Sequence, residues 1–190
     1  MKGINDFSQK IPEFEKYYKG RWVLWARDPQ VWYQYAESLK TATIVLRNSL
    51  WPKDRKRFNT KAAAADLLYG PVYMLLAGHS IETLLKGIII ANHPELVEQQ
   101  RLSKELTHHR LSELYKKAGL KENNRYNELL LRLQNYIEIF GRYPVTKEKK
   151  DMGKLTKTRF AGLTDPSRID ELWKYLFSHR LQTKTNIIVK

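Results

Sequence analysis

Three ionisable side chains stand in one apolar stretch at i, i+3 and i+7: His79, Glu82 and Lys86. On a helix that spacing puts them on one side, together with Leu68, Val72 and Leu75. Glu82 four residues ahead of Lys86 is the favourable order for a helical ion pair. Polar groups among core residues must find partners, so the set reads as a polar network locking two helices together. It also reads as a catalytic or ligand site, because perturbed titratable groups gather at such sites. A metal in a helical bundle would need several carboxylates, and this helix supplies only Glu82. No metal and no cofactor is therefore expected.

Two more positions join the set. His108 and His109 fall at the start of the next helical segment, where the helix dipole disfavours an imidazolium. His108 shares a stripe with Leu111 and Ala118, and His109 lies beside it. Capping or packing is their plainer role. Arg142 directly follows a helix C-terminus. It either satisfies the last carbonyls or offers phosphate a planar fork of donors. The candidate polar cluster is thus His79, Glu82, Lys86, His109 and Arg142, with no catalytic role assigned to any of them. The sequence has no Gly-rich phosphate loop, no Gly-x-Ser-x-Gly elbow and no His-Glu-x-x-His. Ordinary hydrolase, kinase and dinucleotide-enzyme readings lose their support.

A different chemistry is written in the charges. The chain of 190 residues carries 34 Lys/Arg against 20 Asp/Glu, a net +14. Residues 1–60 contribute +6, residues 61–141 only +1, and residues 142–190 +7. The excess gathers in Lys53 to Arg57 and Lys147 to Arg159. Arg55, Lys56, Arg57, Lys149, Lys150 and Lys154 are candidate phosphate contacts, and Trp51, Phe58 and Phe160 could stack on unpaired bases. Such a field attracts nucleic acid or an acidic surface. The bland alternative is a solvated basic face.

Helices must position these groups. Asp28-Pro29 is an N-cap followed by proline at the first helical position, and the helix should run to about Ser49. Val31, Tyr35, Leu39, Ala42 and Leu46 follow helical spacing on it. A second helix covers roughly Lys61 to Ala91. Pro71 should kink it, and the stretch from Val72 to Ile90 is apolar on nearly every side, as in a buried central helix. A third runs from an N-cap at Thr107 to Ala118, stopped by Gly119. A fourth runs from Asn123 or Asn124 to Phe140, with Tyr126, Leu130, Leu133 and Ile137 on its stripe. The last opens at Asp165-Pro166 and buries Ile169, Leu172, Trp173, Leu176 and Phe177. Residues 1–27 look like an arm that packs on the body. The tail, residues 181–190, has strand composition near its end but no partner strand. The expectation is an all-α single domain, a bundle of about five helices.

There is no Cys, which excludes disulfides, thiolate zinc sites and thiol catalysis. The longest unbroken apolar runs, Val72 to Ala77 and Ile88 to Ala91, are far below the roughly 20 residues that span a bilayer. No secretory signal is visible in Met1 to Lys10. The expected compartment is the cytoplasm, with no membrane partner.

Three pieces, in order, resemble the HEPN family of helical-bundle domains. The first is Gly70-Pro71 through Gly78-His79-Ser80-Ile81-Glu82-Thr83-Leu84-Leu85-Lys86-Gly87, similar to that family's long helix with Glu and Lys four apart. The second is His109-Arg110-Leu111 with Leu114 and Ala118-Gly119-Leu120. The third is Gly141-Arg142-Tyr143-Pro144. Arg110 stands where the family pattern often has Asp. The Arg-then-His pair of the family's ribonucleases is missing from the fourth and fifth helices, so the resemblance assigns no catalytic residue. It implies a homodimer that binds or processes RNA or a nucleotide. The alternative is a non-enzymatic partner protein of a defence or toxin–antitoxin system.

Overall fold

The computed structural model describes residues 20–50, 60–140, 148, 150 and 165–185, with side chains at 20–49, 69–139, 148, 150 and 165–180. Among these residues the chain is an all-α bundle of six helices with no strand. Helix α1 covers residues 20–27. It is followed by α2 (Pro29–Leu50), α3 (Thr60–Asn92), α4 (Leu111–Lys117), α5 (Asn124–Asn135) and α6 (Asp165–Thr185). A π turn, Tyr136–Phe140, continues α5, and a short 3-10 turn, Pro94–Leu96, follows α3.

The helix starts follow the local chemistry. Asp28 Oδ1 accepts the Gln30 amide at 2.9 Å, and Asn123 Oδ1 accepts the Arg125 amide at 2.9 Å. Each satisfies an amide that the first helical turn leaves without a partner. Gly119 takes φ +75° just past α4, the left-handed position that favours glycine at a helix end. Helix α3 passes through Pro71 and forms the centre of the bundle, touched by α2, α4, α5, the π turn and α6. Its stretch Tyr69–Asn92 is long and apolar enough to cross a membrane by length and composition. Those side chains instead mostly face other helices, with 72% of the most apolar window buried.

Two glycines let helices approach closely. A Cβ at Gly87 would lie 2.7 Å from the Tyr33 ring of α2, and one at Gly78 would lie 2.8 Å from Ile137 Cγ1 of the π turn. At the first contact Tyr33 also donates its hydroxyl to the Gly87 carbonyl at 3.3 Å. Charges tie the outer helices to one another. Arg132 of α5 forks onto Asp165 at the start of α6 through bonds of 2.7 and 2.6 Å. Lys40 and Arg47 of α2 both hold Asp170 of α6, Arg47 at 2.7 Å.

Several expectations need correction. Residues 20–27 are a helix, and Trp22 and Ala26 on it pack against the core. On α2 the buried face is Tyr33, Ala36, Lys40 and Thr43, while Val31 and Tyr35 are exposed. The true face carries a lysine and a threonine, so apolar spacing alone selects the wrong side. Lys40 is tolerated there because Asp170 pairs with it, and Thr43 returns its hydroxyl to the Leu39 carbonyl. Helix α4 starts at Leu111 and not at Thr107. Residues 104–108 form turns, and Gln134 Oε1 of α5 accepts the Leu111 amide at 3.1 Å, a cap from a distant residue. Helix α6 continues to Thr185, into the segment expected as tail.

Two stability tests follow from this packing. Gly87→Ala should cost about 1–3 kcal/mol, because the added methyl meets an aromatic ring held in a buried contact. An unchanged urea midpoint would mean that α2 can move off α3 freely. Trp173 is buried on α6 and stacks on Phe177 with ring centroids 6.1 Å apart. Trp173→Ala should cost roughly 3–5 kcal/mol, and a variant melting with the wild type would make α6 peripheral.

Candidate functional site

Helix α3 presents His79, Glu82 and Lys86 on one side, as their spacing requires. The turn before α4 brings His109 over them. Lys86 Nζ donates to Glu82 Oε1 at 2.5 Å. His109 Nδ1 lies 3.1 and 3.0 Å from the two carboxylate oxygens, and His79 Nδ1 lies 3.5 Å from Oε2. The two imidazoles meet edge to face, with centroids 6.1 Å apart. The side chains of Glu82 and Lys86 are 6% and 10% exposed, but those of His79 and His109 are 32% and 35% exposed. The carboxylate is therefore nearly buried, and the imidazoles are part-exposed.

Burial pushes the Glu82 carboxyl up, but the His79, Lys86 and His109 donors outweigh it and hold the group down at about 2. A carboxylate so held is a poor proton acceptor at neutral pH. Its chemical use is orientation. It can only accept, so the nitrogen facing it on each ring carries hydrogen, and the basic lone pair falls on Nε2. Two imidazoles fixed in this sense can take or give a proton at Nε2. Glu82 and Lys86 also line an open cavity of about 330 Å³ with Val31, Trp32, Tyr35 and Thr83.

Of the five residues expected in the polar cluster, four converge, and Arg142 lies outside the described residues. His108 stays apart. Its Nδ1 accepts the Arg110 amide at 3.2 Å within the turn that leads into α4, and burial together with the Arg110 charge holds its imidazole below the ordinary range despite Glu113. Among the expected phosphate contacts, Arg55, Lys56, Arg57, Lys149 and Lys154 lie outside the described residues. Lys150 is exposed and pairs with Glu148 at 2.5 Å. The proposed stacking residues Trp51, Phe58 and Phe160 also lie outside them. Among the described residues no group of three or more His, Asp or Glu is placed to hold a metal ion.

Sequence reasoning missed the aromatic wall next to this cluster. Trp22, Trp25 and Trp32, three of the five tryptophans, fall within eleven residues. With Ala26, Gln99 and Gln100 they line a cavity of about 660 Å³. The crowding of tryptophan in so short a segment was the available signal.

Glu82 makes acid stability a readout of the cluster. Its folded carboxyl sits at about 2 against an ordinary 4.5, so ionisation favours the folded state. That contribution is whole above about pH 4.5 and is lost as pH falls toward 2. Glu82→Gln should cost on the order of 3 kcal/mol at neutral pH, and the gap to wild type should shrink at pH 3. Urea unfolding at the two pH values measures it. Equal stability at pH 7 would contradict the account.

Comparison with protein-family models, with curated proteins and with solved structures finds no match for this chain.

Proposed function

We propose that this protein is HEPN-like and binds or processes RNA or a nucleotide at the His79–Glu82–Lys86–His109 cluster. The observation that carries the reading is one buried carboxylate that orients two part-exposed imidazoles and itself lines an open cavity. Oriented imidazoles suit proton exchange with ribose hydroxyls and phosphate oxygens, which is the work of general acid–base catalysis. The net charge of +14 supports a polyanionic partner. The ordered likeness of the three sequence pieces supports the same class.

Filter binding of a labelled single-stranded RNA at low salt tests it. The wild type should retain RNA and lose it steeply as salt rises, because each neutralised phosphate releases counterions. His109→Ala should weaken retention or abolish any cleavage, and urea unfolding of the same variant separates that loss from the destabilisation of a Glu82 carboxylate short of one partner. Replacing Arg55, Lys56 and Arg57 together should flatten the salt slope. A wild type that fails to retain RNA at low salt defeats the proposal.

A second reading, a non-enzymatic partner protein, draws on a different feature. Val31, Tyr35, Ala42 and Val45 share one exposed face of α2. Such a face suits a protein contact, including a second copy of this chain. Sedimentation decides it: a dimer dispersed by Tyr35→Glu with Val45→Glu supports that reading, and a monomeric wild type counts against self-association.

A further inference from the structure

The tryptophan cavity is a corner built from three separate pieces of chain. Helix α1 contributes Trp22, Trp25 and Ala26, the first turn of α2 contributes Val31 and Trp32, and a turn between Val97 and Leu102 contributes Gln99 and Gln100. Each piece is fixed. The Trp32 indole N–H donates to the Ala26 carbonyl at 2.9 Å, closing α1 onto α2. The Arg27 guanidinium grips the Val97 carbonyl from two nitrogens at 3.1 and 2.9 Å, holding the 97–102 turn against α1. The turn is closed by Val97 pairing with Leu102 and by the Glu98 amide bonding to the Arg101 carbonyl at 3.0 Å. Gln99 and Gln100 occupy its tip, both exposed. Their amide groups have no hydrogen-bond partner among the described residues.

This combination is chemically specific. Indole faces offer stacking surface to a flat ring, and a carboxamide offers one donor and one acceptor side by side, the pattern that reads a base edge. A pocket for an aliphatic chain would not need amides at its rim. A pocket for a charged head group would need a counter-charge, and neither lining amide carries one. The cavity shares Val31 and Trp32 with the smaller cavity that Glu82 and Lys86 line, so the two are adjoining compartments of one surface. Its volume lies within the usual range for ligand pockets.

We propose that the Trp22–Trp25–Trp32 cavity is a nucleobase subsite, in which an unpaired base stacks on indole and presents its edge to Gln99 or Gln100. The inference rests on the reading of the neighbouring cluster as the place where RNA or a nucleotide is held. It adds that the ligand is recognised through a base as well as through its phosphates. Because indole stacking accepts any base, the selectivity it confers is for single-stranded over duplex nucleic acid.

Two probes separate the base from the backbone: a short single-stranded oligoadenylate and an abasic ribose-phosphate oligomer of equal length. Both are titrated into the full chain by fluorescence anisotropy. The wild type should bind the base-bearing oligomer about tenfold more tightly, on the order of one stacked base. Trp25→Ala should erase most of that preference, Gln99→Ala combined with Gln100→Ala should reduce it, and both variants should leave abasic binding unchanged. All three positions are exposed, and Trp25→Phe, which keeps a stacking face, should restore the preference. Equal binding of the two oligomers by the wild type overturns the base subsite while leaving the neighbouring cluster as a phosphate-binding site. A preference undiminished by Trp25→Ala, or by the paired glutamine substitutions, also overturns it. Binding of neither oligomer overturns the subsite and the reading beneath it together.

Discussion

A carboxylate in the middle of a helical bundle has to be surrounded by donors, and Glu82 sets that requirement for this protein. An isolated charge taken out of water costs far more than the net stability of a domain. His79 and Lys86, each one turn away on α3, meet part of the demand. The rest is met from outside the helix by His109. That contact places the turn before α4 over α3, and the Gln134 carboxamide then receives the Leu111 amide and ties α4 to α5. A chain of polar contacts therefore runs from the central helix through a turn to two further helices. Removing one partner of such a buried set costs more than the set contributes, because the remaining charge is left unpaired.

The same constraint explains why the cluster is half open. Core packing buries the carboxylate and the lysine stem, but the imidazoles reach the rim and keep about a third of their surface in solvent. On the adjacent face, α1 and α2 meet at Asp28, and the corner leaves indole rings where a straight helix would leave a groove. Val31 and Tyr35, turned outward on α2, belong to this face. Residues that look misplaced as core residues line the cavity beside Glu82.

Much of this was legible in the sequence. The Asp28-Pro29 start, a helix start at Asn123 or Asn124, the Gly119 stop and the α6 stripe of Ile169, Leu172, Trp173 and Leu176 follow from local rules, and each is found in the structure. Helical spacing alone placed His79, Glu82 and Lys86 together. His109 was singled out beside them, yet its approach to Glu82 depends on a turn whose path no local rule dictates. The long-range partners were not legible. Lys40 looks like a surface residue until Asp170, 130 residues away, pairs with it. Gln134 carries no sign that it caps another helix, and Thr107 looked like the better cap. The tryptophan corner was written as composition, but only the fold of the 97–102 turn brings Gln99 and Gln100 to it.

The central claim is that Glu82 fixes the tautomer of the imidazoles above it. A long-range proton–nitrogen correlation spectrum of the uniformly nitrogen-15-labelled protein, recorded where the rings are neutral, reads this directly. The account predicts that His109 carries its proton on Nδ1 and its lone pair on Nε2, and that Glu82→Gln returns the ring to the mixed pattern of a free imidazole. A wild-type His109 protonated on Nε2, or a spectrum that Glu82→Gln leaves unchanged, would contradict it.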